Sequence, residues 1–186
     1  MNKPLEAAWE VGQFLVAHHI RHALIGGLAV QQWGSARLTV DADFTIAAPL
    51  EGSADLVRLI TGRFPSRVAD PQALAGRARM MLVTANNGVE VDVSLALPGY
   101  EDELFRRAVD FEIEPGKSIR LCSAEDLIIH KAVAGRPQDV VDIEGVVLRQ
   151  GDGLDVAYIR RWLAEFANVL ADPEIEQRFE RAYQKR

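Results

Sequence analysis

The sequence predicts a mixed α/β domain, a sheet flanked by helices, followed by a small region built of helices alone. Three observations carry this. The stretches that alternate apolar and polar residues with a period of two lie before residue 122. Asn87-Gly88 joins two of them as a hairpin, because both residues tolerate positive φ, so part of the sheet is antiparallel. Beyond 122 the apolar spacing is helical, broken at Arg136-Pro137, at Gly151-Asp152-Gly153 and at Asp172-Pro173. The expected organisation is a core domain over 1–122 and a helical region over 123–186 packed on it.

Taken in order, residues 5–19 read as an amphipathic helix with Leu5, Trp9, Gly12 and Val16 in one stripe and Ala8 and Leu15 beside it. A short buried strand over 23–25 runs into the turn Gly26-Gly27, and a short helix follows over 28–33. Residues 40–47 read as the second strand. Ser53 caps a helix over 54–64, and Asp70 followed by Pro71 starts another. Strands are expected over 77–85 and 89–97, a helix over 101–107, and two short strands on either side of Pro115-Gly116. Ser123 caps a helix over 124–134, and a separate helix runs over 138–149. Asp155 and Asp172-Pro173 start the last two.

A chain of 186 residues, 48% hydrophobic and 26% charged, has the composition of a soluble globular protein with a real core. It shows no apolar run long enough to cross a bilayer and no signal-peptide pattern, so no membrane partner is expected. The single Cys122 has no partner for an internal disulfide, which fits a reducing cytoplasm. The net charge of −6 lacks the basic surface of a protein that coats long nucleic acid.

The chemistry concentrates in residues 23–47. Alternation along the second strand places Val40, Ala42, Phe44 and Ile46 on one face and Asp41 and Asp43 on the other. The later strand repeats the pattern, with Val89, Val91, Val93 and Leu95 opposite Glu90, Asp92 and Ser94. Neighbouring carboxylates repel and are stable with a cation between them. Acidic groups on two strands beside a glycine turn point to a magnesium site suited to phosphoryl chemistry. Glycines let backbone N–H groups approach phosphate, and the N-terminus of the following helix favours the negative charge.

In this order, Gly26-Gly27, Asp41-Ala42-Asp43 and Asp92 resemble the motifs of the nucleotidyltransferase superfamily, which shares its core with DNA polymerase beta. The segment 24–46 is similar to the AbiEii-type nucleotidyltransferase toxins. So is 125–146, where Lys131, Arg136, Asp139 and Asp142 match a lysine followed by an Arg-x-x-Asp-x-x-Asp pattern. The motifs together span about two thirds of the chain. Two departures stand out: Gly27 replaces the usual serine, and the C-terminal region is shorter than in many of the toxins.

The resemblance implies that Asp41, Asp43 and Asp92 are the catalytic residues and hold two Mg2+ ions. Asp92 is then also the general base. Gly26, Gly27, Arg37 and Lys131 bind the nucleotide. The substrate implied is a nucleoside triphosphate, and the acceptor is a small molecule, a protein hydroxyl or a tRNA. An antitoxin is the implied protein partner. Two other readings stay open: an aminoglycoside-type enzyme acting on a cationic sugar, and a binding protein that keeps the fold without turnover.

Other residues have plainer readings. Arg136, Asp139 and Asp142 tie two helices together through ion pairs, Glu90 is structural, and Thr39 is a strand residue. His18 and His22 lack a third ligand for zinc. Cys122, Trp33 and Trp162 are core.

Overall fold

The computed structural model describes residues 2–186. In chain order the elements are α1 (Lys3–Ala17), β1 (His22–Ile25), α2 (Gly26–Trp33), β2 (Ala42–Ile46), α3 (Ala54–Arg63), α4 (Pro71–Ala78), β3 (Met80–Thr84), β4 (Glu90–Leu95), α5 (Tyr100–Arg107), β5 (Val109–Glu114), β6 (Lys117–Leu121), α6 (Ala124–Ala134), α7 (Pro137–Gln150), α8 (Val156–Leu170) and α9 (Glu174–Gln184). The fold is α/β, as the sequence predicts. No helix among the described residues is long and apolar enough to cross a membrane.

The chain forms two compact units. The first holds residues 2–28 and Leu38–Cys122; the second holds Ala29–Arg37 and Ser123–Arg186. The change of unit at 122/123 lies where the strands end, but residues 29–37 join the later helices. Close backbone packing explains that membership. Gly145 in α7 lies against Ser35, where an added Cβ would meet Ser35 Oγ at 2.8 Å. Gly34 lies against Val146, where one would meet Val146 Cγ2 at 2.9 Å. Arg149 Nη1 donates to the Gly34 carbonyl at 2.9 Å, and Gln150 Nε2 to that of Trp33 at 2.7 Å.

The sheet belongs to the first unit and runs β3-β4-β2-β1-β6-β5. β1 pairs antiparallel with β2 and parallel with β6; β2 pairs parallel with β4. The hairpins β3–β4 and β5–β6 are antiparallel. At the first, Gly88 has φ +84° and its N–H donates to the Ala85 carbonyl at 3.0 Å, the turn that Asn87-Gly88 encodes. Leu24, Phe44, Ile46, Val91 and Val93 are buried at the centre.

Several elements differ from expectation. β2 starts at Ala42, so Val40 is 72% exposed rather than buried with Phe44, and Thr39 lies outside any strand. The cause is the length of β1. Gly26 turns the chain away at φ +65°, so Ile25↔Asp43 is the last pair and Asp41 meets no strand partner. β3 starts at Met80 rather than 77, because α4 runs on until Arg79 stops it in the left-handed conformation. The buried stripe of α1 is Ala7, Ala8, Val11, Gly12 and Leu15, one position round from that expected. Val16 is 57% exposed, and Trp9 sits at the edge with the Lys117 ammonium over its ring.

In the second unit the caps are those the sequence encodes. Ser123 accepts from the Asp126 N–H and Asp155 from that of Tyr158. The core gathers Leu127, Ile128, Ile143, Val146, Ile159, Leu163, Ile175 and Phe179.

Candidate active site

Gly26 ends β1 and opens α2. An added Cβ there would lie 1.9 Å from Asp43 Oδ2 and 2.5 Å from Asp43 Cγ. The carboxylate of Asp43 is therefore seated directly on the glycine backbone. Position 26 needs glycine twice over, for its positive φ and for this contact. The first N–H groups of α2 start at the same point and have no partner within the helix.

Asp43 and Asp92 are register partners on the adjacent parallel strands β2 and β4. Residues opposite each other in neighbouring strands share a face, so the two side chains leave the sheet on the same side. Asp41, just before β2, accepts a hydrogen bond from Thr39 Oγ1 at 2.7 Å. Its charge reaches Asp92. Burial, with the negative charges of Asp41 and Glu90 as lesser contributors, raises the Asp92 pKa above its ordinary value despite the opposing pull of Arg67.

Arg67 is a member of this cluster that the sequence did not reveal. Its guanidinium donates to Asp92 Oδ1 through Nη2, and to Glu90 Oε2 through Nη1 at 2.6 Å. No local pattern marks it, since it comes from an irregular segment that reaches β4 only through the fold.

Among the described residues, no three His, Cys, Asp or Glu side chains are drawn together as a ready-made metal cage. The donor set is nonetheless of the right kind. Hard carboxylate oxygens come from register-paired positions of neighbouring strands, and a guanidinium cation already sits on one of them.

Arg37 and Lys131 lie in the second unit. Lys131, 5% exposed, places Nζ 2.8 Å from Asp139 Oδ1 and 2.9 Å from Asp142 Oδ2. Arg37 reaches Asp142 with Nε at 2.9 Å and Nη2 at 3.1 Å. Arg136 holds Asp139 through Nε at 2.7 Å. Burial pushes both aspartates up, but these hydrogen bonds and charges outweigh it and leave both pKa values below the ordinary carboxyl range. The cluster ties α6, α7 and the end of the 29–37 segment together.

His18 and His22 do not meet as ligands. His18 Nδ1 pairs with the Phe14 carbonyl at 2.8 Å and His22 Nδ1 with that of Ile20 at 2.9 Å. Cys122 is buried, with its backbone N–H bonded to the Leu24 carbonyl at 3.0 Å.

A family model described as "Nucleotidyl transferase AbiEii toxin, Type IV TA system" matches residues 13–185. No curated protein matches the chain closely enough in sequence to count as a relative. Among solved structures, ANT(2")-Ia in complex with adenylyl-2"-tobramycin is similar, with a TM-score of 0.53 and 16% identity over 89% of this chain and 96% of that one. An antigenic nucleotidyltransferase-like protein from Paracoccidioides brasiliensis gives 0.49 and 16% over 94% and 93%. The Thermotoga maritima CCA-adding enzyme complexed with tRNA gives 0.45 and 14% over 98% of this chain and 47% of that one. At 16% identity the likeness to ANT(2")-Ia concerns the fold alone.

Proposed function

The chain belongs to the AbiEii family of nucleotidyl transferase toxins of type IV toxin–antitoxin systems, and from that premise we propose that it passes a nucleoside monophosphate from a nucleoside triphosphate to an acceptor hydroxyl and releases pyrophosphate, with Asp41, Asp43 and Asp92 holding magnesium. The observation that carries the reading is the register pair Asp43↔Asp92 beside the glycine that opens α2. Bound magnesium would neutralise charge on the attacking and leaving oxygens.

The rest falls to the chain's own groups. Backbone N–H groups at Gly26 and Gly27 bind triphosphate oxygens, because the start of a helix offers unpaired donors and a favourable dipole. Asp92 takes the proton of the acceptor hydroxyl. Its raised pKa makes it a better base than an ordinary aspartate. Positioning of the two reactants supplies much of the rate.

The acceptor is a small molecule, a protein hydroxyl or a tRNA, and an antitoxin is the expected partner in the cytoplasm. The test incubates the protein with each labelled nucleoside triphosphate, with and without magnesium, in the presence of all three acceptor classes. Mass spectrometry then seeks acceptors heavier by one nucleotide. Transfer that needs magnesium and is lost in Asp92→Ala supports the reading. Absence of transfer to every class, together with nucleotide binding indifferent to magnesium, overturns it.

A further inference from the structure

Arg67 is held in the carboxylate cluster by more than its charge. Its backbone N–H donates to the Leu82 carbonyl at 2.8 Å, and the Thr84 N–H donates to the Pro65 carbonyl at 2.9 Å. Ser66 bridges Val83 between them, so this short segment runs antiparallel along the outer edge of β3. From there the side chain crosses to β4. Nε donates to the Val83 carbonyl at 3.2 Å, Nη1 to Glu90 and Nη2 to Asp92. All three guanidinium nitrogens are engaged, and the side chain is 23% exposed. A guanidinium keeps its proton in any protein environment, so this is a permanent cation on Asp92.

We infer that Arg67 is the resident counter-cation of Asp92 and competes with a divalent cation for that carboxylate, so that metal binding frees its fork for the anionic oxygens of the triphosphate. The inference rests on the reading of Asp41, Asp43 and Asp92 as metal ligands. A hard divalent ion needs the same carboxylate oxygens that the guanidinium now occupies, and two cations on one carboxyl group repel. Arg67 does not leave when displaced. Its backbone stays paired with β3, and Nε keeps the Val83 carbonyl, so the fork pivots at the rim of the site. A planar fork with two parallel donors matches a phosphate, as it matches the two carboxylates it now spans. Arg67 is thus a positioning residue with two stations, a carboxylate in the empty site and a phosphate in the loaded one.

The competition has a signature that merely structural support does not produce. Calorimetric titration with Mn2+ alone compares the wild type with Arg67→Gln, and a second titration measures ATP binding at saturating Mn2+. Arg67→Gln should bind Mn2+ about fivefold more tightly, the size expected for releasing a part-exposed ion pair, and should bind ATP more weakly once Mn2+ is saturating. Wild type and Arg67→Gln binding Mn2+ equally would overturn the inference and leave the metal-ligand reading standing. Neither protein binding Mn2+ would overturn that reading, and this inference with it. Should Arg67→Gln fail to fold, Arg67→Met carries the comparison. It too removes the cation, so a similar gain in Mn2+ affinity is expected, and no gain overturns the proposal.

Discussion

The carboxylate of Asp43 takes the space that any side chain at residue 26 would need. An added Cβ on Gly26 would stand 1.9 Å from Asp43 Oδ2. Gly26 also has φ +65°, a conformation that costs an L-residue about 1–2 kcal/mol. Gly26→Ala should therefore lose more stability than backbone strain alone explains, and should displace Asp43. Gly88→Ala is the control: its φ is +84° but an added Cβ meets nothing within 4 Å. Urea denaturation of both variants should place Gly26→Ala well below Gly88→Ala, and equal losses would contradict the packing described.

Asp43→Asn should remove magnesium-dependent binding of nucleoside triphosphate while sparing the fold. The change keeps shape and removes one of the charges that hold the cation. Titration calorimetry with and without magnesium reads the outcome, and circular dichroism checks the fold. Unaltered magnesium dependence in the variant would count against Asp43 as a ligand.

Lys131→Met should destabilise the second unit. It leaves Asp139 and Asp142 buried with one cation fewer, and removing one partner of a buried ion pair typically costs about 3–5 kcal/mol. Arg37 and Arg136 remain as partners, so the loss should fall at the lower end of that range. An unfolding midpoint equal to the wild type would mean that Lys131 contributes nothing to holding α6 against α7.

His130 makes stability sensitive to pH. Burial, helped by the nearby Lys131 charge, lowers its pKa from 6.5 to about 4. Nε2 of the ring is enclosed although part of the side chain reaches solvent. The unfolded chain then takes up a proton below pH 6.5 that the folded chain refuses. Stability is fully present above that value and is lost as pH falls towards about 4, with a limiting slope of about 1.4 kcal/mol per pH unit for one proton. His22, also lowered chiefly by burial, adds in the same direction, while the raised Asp92 and Glu101 oppose it. Comparing wild type with His130→Leu isolates the His130 share, and the variant should show a shallower loss between pH 6.5 and 4. Below that, the depressed Asp139 and Asp142 begin to lose their own contribution in both proteins. Parallel profiles would show that His130 titrates alike in the folded and unfolded chain.

The sequence by itself determined the class of fold, the order of its elements and most of their ends, because these depend on signals local to the chain. Asp70, Ser123 and Asp155 cap the helices they precede, and Gly88 makes the hairpin turn, through bonds to residues within three positions. Alternation likewise set the buried faces of β2 and β4, since it needs only the pleat. Only the tertiary structure decided which strand lies beside which. A period of two assigns Asp43 and Asp92 to a face but says nothing of their partner, and the Asp43↔Asp92 register comes from hydrogen bonds across the sheet. The same holds for Arg67, which reaches Asp92 from 25 residues away in the chain. It holds for residues 29–37 too, whose place with the late helices depends on Gly34 and Gly145 lying flush against α7 and Ser35. Lys131 is the plainest case. A mid-helix lysine reads the same whether water or two buried aspartates receive its charge, and only the packing of α6 on α7 selects the aspartates.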